Sequence, residues 1–429
     1  MSNFVNHKLL VLGGRPIGTV EIVKYAKSKG AYVIVCDYLP VDKSPAKRIA
    51  DECWSYSTSD VDLISKKAKN CGVTAVITGS HEFNILKTIE VCERLKLPFY
   101  CTKQQWEICQ NKIKFKELCS KFNVPTARTY KLPKYKNATS KNDIDFPVIV
   151  KPSDSSASRG ISVCHTVDDL THGIDVALKE STEKKFIIEK FLDGEEIMIF
   201  YTIQNGHSHL IGICKRFTNN TYGGDVPLPE LYYFDIKYLQ PYKKNIDSNV
   251  KKMFDSIGLQ NCVVLLQAFF YDNNFYVFEM SLRINASQEY NLTSSLLNFN
   301  SLEMLVDYSM TGKFGTEKIS NFVDPYWGGK FVCILPIVLN IGKIQVIEGI
   351  NLIRDHENVV SVNVFGGDKE EITKEMFGSM NQVHIRIYIA AGTKSDMMNA
   401  VNFVNKNIKI LDESCKDMVL FNFNHDQLV

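Results

Sequence analysis

The chain has 429 residues, of which 45% are hydrophobic and 23% charged, so it can build a core of ordinary size and about three domains. The formal net charge of +2 argues against a nucleic-acid partner, because a surface that follows phosphates needs a marked basic excess. Twelve scattered cysteines without a CxxC pair indicate neither a zinc ribbon nor a disulfide framework, and no apolar run is long enough for a membrane span. We therefore expect a cytoplasmic protein with reduced thiols and no membrane partner.

The first part of the chain alternates predicted strands with predicted helices, a pattern typical of a parallel sheet. Strands are expected at residues 8–12, 32–36 and 73–78, and a helix at 17–28. This pattern predicts a doubly wound α/β domain over residues 1–105. The turn at Gly13 and Gly14 leads into the helix, but GGRPIG lacks the spacing of a dinucleotide fingerprint, so NAD binding is not expected.

Ligands of such sheets collect at the carboxyl ends of the strands. In this sequence those ends hold Gly14, Asp37 and the segment GSHE, which contains His81 and Glu82. Gly14, His81 and Glu82 are therefore candidates for binding an acceptor substrate. The alternative is that His81 and Glu82 only cap the helix that begins near Phe83.

A short apolar strand at 147–150 ends at Lys151 and continues into a loop of small residues. The lysine ammonium can act as a point charge on phosphate oxygens. Small side chains let backbone N–H groups approach an anion closely. The loop residues expected to do so are Ser155, Ser156, Ser158 and Gly160. The alternative is an ordinary polar turn after a strand.

A second apolar strand at 186–188 runs into Glu189, Lys190, Phe191 and Leu192 and then an acidic turn. A chain that leaves a strand there can offer backbone groups to an adenine edge. Glu195 or Glu196 can accept hydrogen bonds from ribose hydroxyls.

Farther along, two apolar runs flank Tyr271 to Asn274, which has the composition of a hairpin turn. Gln267 and Glu279 are expected to lie near each other across this hairpin. Oxygen ligands so placed suit Mg²⁺, which keeps one or two carboxylates together with substrate phosphates and water. Arg283 follows four residues after Glu279, within reach of a transferring phosphoryl group.

This ordered set resembles the ATP-grasp superfamily over most of the chain, in particular the branch with biotin carboxylase, the large subunit of carbamoyl phosphate synthetase and the L-amino acid ligases. The resemblance implies a first lysine, Lys112, in a helix before the lid, with Pro125 beginning the next strand, and a second lysine at Lys151. It also implies a hinge at Glu189, Lys190, Phe191 and Leu192, a ribose ligand at Glu196, metal ligands at Gln267 and Glu279, and a phosphate ligand at Arg283.

The sequence departs from the family pattern at Ser281, where many members carry an asparagine that binds a second metal ion. EMSLR stands here instead, so the ligand that the family pattern supplies for a second magnesium is replaced by serine. Asn285, two residues past the arginine, is an alternative ligand.

The remaining organisation follows from the same resemblance. An ATP-grasp α+β domain is expected at 106–318, with its lid at roughly 146–192, and a small α+β domain at 319–429 that packs and closes the site. In the last domain, strands are expected at 330–334 and 359–364 and a helix at 397–407. Lys215 and Arg216 are candidates for binding phosphates or a carboxylate substrate, or else a basic pair at a strand end.

The resemblance implies that ATP and Mg²⁺ activate a small-molecule carboxylate as an acylphosphate, which an amine then attacks. Lys151 and Arg283 would stabilise the transferring group, and the products would be an amide or peptide-type bond, ADP and phosphate. One alternative is a bicarbonate-activating carboxylase or carbamoyl phosphate synthetase-like enzyme. Another is a catalytically weak nucleotide-binding regulatory protein, which Ser281 favours. Homodimers are frequent in these branches, but the oligomeric state stays open.

Overall fold

The computed structural model describes residues 3–15, 17–131, 144–155, 159–223, 227–365 and 370–428. Its strands are β1 Lys8–Leu12, β2 Tyr32–Cys36, β3 Glu52–Trp54, β4 Ala75–Thr78, β5 Thr129–Tyr130, β6 Val148–Pro152, β7 Ser162–Cys164, β8 Phe186–Lys190, β9 Glu195–Gln204, β10 His207–Asn219, β11 Leu228–Phe234, β12 Cys262–Tyr271, β13 Asn274–Ser281, β14 Phe331–Val338, β15 Gly342–Glu348, β16 Val359–Val364, β17 Glu371–Ile372, β18 Val383–Ala391 and β19 Lys409–Asp412. Its helices are α1 Thr19–Ser28, α2 Val61–Asn70, α3 Glu82–Leu95, α4 Lys103–Gln110, α5 Lys112–Lys121, α6 Val167–Glu180, α7 Leu239–Asn245, α8 Asp247–Ser256, α9 Tyr290–Leu297, α10 Ser301–Thr311, α11 Ile350–Arg354 and α12 Lys394–Asn407.

The first domain is a parallel sheet in the order β3-β2-β1-β4. Leu9 and Val11 of β1 pack into the same core as Ile22 of α1, whereas Leu10 packs on the other side with Ile64 of α2. Because alternate residues of a strand point to opposite faces, the unbroken apolar run of β1 is buried on both. The predicted doubly wound fold of this part of the chain is confirmed.

The predicted first helix begins two residues later than expected, at Thr19. Gly18 precedes it with a φ of 90°, a left-handed conformation that glycine adopts without steric cost and that does not belong to a helix. The third predicted strand begins at Ala75, because the Val73 N–H closes the end of α2 on the carbonyl of Ala68.

The lid contains a four-stranded sheet in the order β5-β8-β6-β7, with α6 packed on β6 and β7. The predicted strand at 147–150 forms as β6. The expectation that Pro125 begins a strand is wrong, because β5 begins at Thr129. The Pro125 carbonyl instead accepts a hydrogen bond from the Val277 N–H, which ties the approach to the lid to β13.

The largest sheet is antiparallel and has eight strands in the order β13-β12-β9-β10-β11-β14-β18-β16. It runs across the predicted domain boundary at 318–319, since β11 pairs with β14. Ile385, Ile387 and Ile389 of β18 pack with Met397 and Val401 of α12 in a C-terminal core. The helix begins at Lys394, earlier than predicted, because the Thr393 side chain accepts a hydrogen bond from the Asp396 N–H and caps it.

A small sheet in the order β17-β15-β19 completes the C-terminal part. The predicted fold class is thereby confirmed: a doubly wound parallel domain, antiparallel central and lid sheets, and a small C-terminal α+β unit. None of the helices in the described ranges is long and apolar enough to cross a membrane.

A buried ion pair holds the turn after β1. The Lys47 ammonium lies 3.0 Å from Asp37 Oδ1, with both side chains almost fully buried, and also donates to the carbonyls of Asp37 and Leu39. Asp37 Oδ2 accepts from the Gly14 N–H at 2.7 Å and the Ser44 hydroxyl at 2.8 Å. The Asp37 carboxylate was expected among the ligand-binding groups, but both of its oxygens contact groups of the first domain itself.

We expect Asp37→Ala to lower the free energy of unfolding by about 3–5 kcal/mol, because it leaves the Lys47 ammonium buried without a counter-ion. Denaturant unfolding of the two proteins measures this difference. Arg94→Ala is the control, since it removes an exposed ion pair with Asp62 in the same domain and should cost at most about 1 kcal/mol. Equal losses for the two variants would contradict the structural role of Asp37.

Candidate active site

The register of the β12–β13 hairpin pairs Gln267 directly with Glu279. Side chains of directly opposite residues share one face of a sheet, with Cβ atoms about 5 Å apart. Ser281 lies two residues beyond Glu279 on the same strand. It is buried, and its Oγ has no hydrogen-bond partner among the residues that the structure describes. Three oxygen-bearing side chains are thus grouped on the hairpin.

Charged side chains from four segments converge on Glu279. Burial raises the pKa of its carboxyl and the Glu82 carboxylate raises it further, whereas Lys112, Arg283 and Lys151 lower it. Arg283 Nε lies 3.7 Å from Glu82 Oε1. The five residues were each predicted separately for the site, and the fold brings them within electrostatic reach of one another.

Lys112 is the first residue of α5, and the Asn111 side chain caps this helix. The Lys112 N–H donates to the Ser153 carbonyl at 3.0 Å, and its Nζ donates to the Ser155 carbonyl at 2.6 Å. The predicted first lysine therefore contacts the loop that follows β6. Burial lowers the pKa of its ammonium group, while Glu279 raises it.

The second predicted lysine, Lys151, is held by Glu189. Lys151 Nζ lies 2.9 Å from Glu189 Oε2, and the other carboxylate oxygen accepts from Lys116, which also donates to the Ala127 carbonyl. All three charged groups are largely buried. Burial favours the neutral form of Glu189, but the ammonium groups of Lys151 and Lys116 hold its pKa below the ordinary value.

The small-residue loop is described in part. Ser155 and Gly160 lie within the described ranges, and Ser156 and Ser158 lie outside them. Gly160 has a φ of 71°, and a Cβ there would come within 2.8 Å of Pro152 Cγ and Glu180 Cβ. Close packing of the loop on the lid thus requires glycine at this position.

The predicted hinge follows the end of β8. The Lys190 N–H donates to the Arg128 carbonyl at 2.8 Å, and the Phe191 N–H donates to the Pro147 carbonyl at 3.1 Å. These two N–H groups hold the lid sheet together. Adenine recognition at the hinge, with Leu192 at its end, stays a prediction that must use other backbone groups.

The acidic turn and the basic pair, predicted separately, form ion pairs across β9 and β10. Glu196 Oε1 lies 2.7 Å from Arg216, and Glu195 Oε1 lies 2.7 Å from Lys215. Glu195 also accepts from the Tyr238 hydroxyl at 2.7 Å. Opposite charges on neighbouring strands stabilise the pairing. The predicted roles of Glu196 toward ribose and of Lys215 and Arg216 toward substrate stay predictions.

The other acceptor candidates lie in different surroundings. His81 precedes α3, but its side chain makes no capping hydrogen bond in the described structure; burial and then Arg283 lower its pKa. Asn285 is buried and donates to Glu289 Oε1 at 2.8 Å, while its Oδ1 has no partner in the described ranges. The Gly14 N–H is already engaged with Asp37.

Sequence reasoning missed Lys116 and Glu289. Lys116 follows Lys112 by four residues, so the two lie on one face of α5, and this spacing was the available signal. Glu289 accepts from Asn285 and from Ser287 in a loop, where no periodic pattern marks a buried carboxyl group.

Comparison with known proteins agrees with this geometry. Residues 144–288, which span the lid and the strands through the β12–β13 hairpin, match the ATP-grasp domain family model. Phosphoribosylglycinamide synthetase from Anaerococcus prevotii superposes with a TM-score of 0.72 over 95% of this chain and 100% of that one, at 20% identity. Residues 144–288 of the chain therefore form an ATP-grasp domain. L-amino acid ligase from Bacillus licheniformis gives the same TM-score of 0.72, over 95% of this chain and 99% of that one, at 15% identity.

Among curated sequences, the formate-dependent phosphoribosylglycinamide formyltransferase of Prochlorococcus marinus is 28% identical over 226 residues. The match covers 52% of this chain and 57% of that protein, so little more than half of the relative is represented. The matched parts support a shared domain.

The hairpin of this ATP-grasp domain suits a magnesium ion by its donor chemistry. Gln267 and Glu279 offer oxygen ligands, and Ser281 adds a buried hydroxyl without a partner among described residues. In the described part of the chain, no group of three or more His, Cys, Asp or Glu side chains has the geometry of a metal site. A magnesium ion here would therefore need the phosphates of ATP as further ligands.

We expect Glu189→Gln to lower the free energy of unfolding by about 3–5 kcal/mol at neutral pH, because two buried ammonium groups lose their counter-ion. The Glu189 pKa is depressed in the folded state, so its stabilising contribution is present above the unfolded pKa of about 4.3 and is lost as the pH falls through the folded value. Denaturant unfolding at neutral and acidic pH checks that the difference shrinks with acid.

Glu183→Gln is the matched control, since its pair with Lys185 on the lid is exposed. This variant should stay within about 1 kcal/mol of wild type at both pH values. A Glu189→Gln deficit that is independent of pH would show that the carboxylate charge is not what stabilises the lid.

Proposed function

We propose that the protein is an ATP-dependent carboxylate–amine ligase that forms an amide or peptide-type bond and releases ADP and phosphate. The observation that carries this proposal is that Lys112, Lys151 and Arg283 lie within electrostatic reach of the Glu279 carboxylate, which pairs with Gln267 across the hairpin. Phosphoryl transfer depends on positioning and on charge stabilisation, and this set supplies both. The similar proteins, a formate-dependent formyltransferase, a synthetase and an amino acid ligase, support the same reaction class.

ATP would bind between the lid sheet and the central sheet. Lys151 is the fourth residue of β6 and Lys112 is the first residue of α5, and both ammonium groups would face the phosphates. The small-residue loop, including Ser155 and Gly160, would close over them. Glu189 acts on the nucleotide through Lys151, which it holds in place.

Gln267 and Glu279 would hold magnesium, with Ser281 within the same group of oxygens. When bound, the ion supplies positive charge that offsets the negative charge of the transferring phosphates. The substitution of serine for the family's asparagine leaves the second metal site the weaker of the two.

The chemistry requires no covalent bond to the protein. A carboxylate oxygen of the first substrate attacks the γ-phosphorus, the bond to the bridging oxygen breaks, and ADP leaves. Arg283, positioned by Glu82, stabilises the charge on the transferring oxygens. The amine nitrogen of the second substrate then attacks the acyl carbon, loses a proton, and phosphate leaves with the electron pair of the broken bond.

His81 and Glu82 lie at the start of α3, next to Arg283, where a carboxylate substrate would meet the γ-phosphate. Asn285 lies two residues after Arg283, in the segment that follows β13. We propose these three for contact with the acceptor molecules. The setting proposed is the cytoplasm, which the twelve unbonded thiols support.

We expect Glu279→Gln to reduce ADP formation by about a thousandfold or more, because the anionic side chain that would hold magnesium against the phosphates is lost. Lys151→Met is expected to raise the KM for ATP and to lower kcat. The measurement is release of ADP and phosphate with Mg-ATP and the substrate pair. Asp272→Asn, in the exposed turn of the same hairpin, is the control and should keep wild-type turnover.

The substrates are found with a panel of amino acids, other small carboxylates and amines, offered singly and in pairs. Release of ADP that requires a carboxylate together with an amine supports the ligase. Release that requires only bicarbonate would replace this proposal with a carboxylase. ATP binding without release of ADP under any condition would favour the regulatory alternative.

A further inference from the structure

Arg386 is a buried arginine that the proposed chemistry does not use. Its side chain is 0% exposed, and it stands on β18 between isoleucines of the C-terminal core. Alternation along the strand turns it to the opposite side, with Tyr388, which belongs to the main core. A charge at such a position is costly unless it is paired.

The guanidinium has one weak partner on its Nη1 group. Nη1 donates to Gln288 Oε1 at 3.4 Å, and Gln288 Nε2 donates to Glu21 Oε1 at 2.6 Å. The Gln288 amide therefore lies between the Arg386 guanidinium and the Glu21 carboxylate. Among described residues, Arg386 forms no ion pair.

The two donors without a partner lie on one edge of the guanidinium. Nε and Nη2 are buried and make no hydrogen bond to the described residues. These two N–H groups point in parallel, which is the arrangement that binds two oxygens of one carboxylate or phosphate. A pair of parallel donors left open in this way is suited to an oxyanion.

A third donor lies beside them. Asn363 of β16 is the direct cross-strand partner of Arg386, so the two side chains share a face. Asn363 Nδ2 is buried, and it too lacks a partner in the described part of the chain. All of the unsatisfied atoms in this pair of residues are donors, which again points to an anion.

The position connects to the candidate active site in two ways. Gln288 lies five residues after Arg283, a distance of at most roughly 18 Å along an extended chain. On the sheet, Arg216, Tyr232, Ile334 and Tyr388 are successive cross-strand partners, so Arg386 lies on the same face as the Glu196–Arg216 pair. Tyr388 lies three strand spacings, about 14 Å, from Arg216, and Arg386 lies two residues from Tyr388 on the same strand.

We infer that Arg386, with Asn363, binds an oxyanion group of the amine substrate, a carboxylate or a phosphate, at the end remote from the amine that reacts near Arg283. The identity of the bound molecule rests on the proposed ligase function. The anion site itself rests on the unsatisfied donors. Arg386 would be a binding residue that orients the second substrate and selects for negative charge.

The site is closed in this structure. The centroid of the Phe365 ring, one residue past β16, lies 4.8 Å from the guanidinium carbon. An anion can reach Nε and Nη2 only after the covering side chains move, and Phe365 is the ring that stacks directly on the guanidinium. When the substrate binds, Phe365 would move away from the guanidinium of Arg386, which would then bind the anion.

The test uses three small amines that differ in their anion: O-phosphoethanolamine, β-alanine and ethanolamine. Binding of each is measured by calorimetry to the full-length protein saturated with MgADP, which occupies the nucleotide phosphate site. We expect one of the two anionic amines to bind about tenfold or more tightly than ethanolamine, and Arg386→Met to abolish that preference. The probe that is preferred identifies a phosphate or a carboxylate as the anion.

Two further variants separate charge from geometry. Arg386→Lys keeps the charge but loses the parallel donors and should recover only part of the affinity. Arg354→Gln changes an exposed arginine of the same C-terminal part and should bind the probes as wild type does. Ligand-free Arg386→Met should unfold at a midpoint no lower than wild type, because a buried unpaired charge is removed.

Absence of any anion preference in the wild type, or an equal preference in Arg386→Met, would overturn the inference. A lower unfolding midpoint of Arg386→Met with unchanged probe binding would assign the arginine to structure alone. Probe binding needs no turnover. If the protein forms no ADP but binds anions through Arg386, only the ligase proposal is contradicted. Normal ligase kinetics in Arg386→Met would contradict only the proposed anion site.

Discussion

The antiparallel ladder of the central sheet is the constraint on which the candidate site depends. Side chains of a strand alternate between faces, so the register decides which residues meet. It places Gln267 opposite Glu279 within the β12–β13 hairpin, and Arg386 opposite Asn363 on two strands that are not consecutive in the chain. A register shift of one residue in either pair of strands would move these polar side chains to the opposite face of the sheet, into the hydrophobic core.

Electrostatics then shape the site that the ladder assembles. Lys151 would be an unpaired buried charge without Glu189, and the same carboxylate neutralises Lys116 from a neighbouring helix. Around Glu279 the balance differs, since Glu82 adds a like charge that raises its pKa while three cations lower it. Ser281 Oγ, Arg283 Nε and Asn285 Oδ1, on the segment that follows Glu279, are buried without a hydrogen-bond partner among the described residues. Such departures from full satisfaction are characteristic of functional sites, where binding groups must stay available.

Local patterns predicted much of the fold. The strands at 8–12, 32–36 and 359–364 form as expected because each is a short apolar or β-branched run bounded by turn residues. The β12–β13 hairpin was predictable since its turn composition and alternating runs act over a few residues. The site residues predicted one by one, including Lys112 and Arg283, converge in space. The expectation for Pro125 failed because a strand needs a continuous ladder, and the Pro125 carbonyl makes a single backbone hydrogen bond, to the Val277 N–H, four residues before β5 begins.

The sequence by itself determined the kind of chemistry: a lysine after a buried strand, oxygen ligands on a hairpin and an arginine four residues beyond. Each of these three features is a pattern within one short segment, and the order of residues in a short segment does not depend on the fold. Only the tertiary structure decided that Glu189 pairs with two lysines, that Glu196 pairs with Arg216, and that Arg386 faces the loop after Arg283. Each of these contacts joins residues separated by many positions in the chain. Their distance is set by strand register and by the packing of the sheets, which no local pattern encodes.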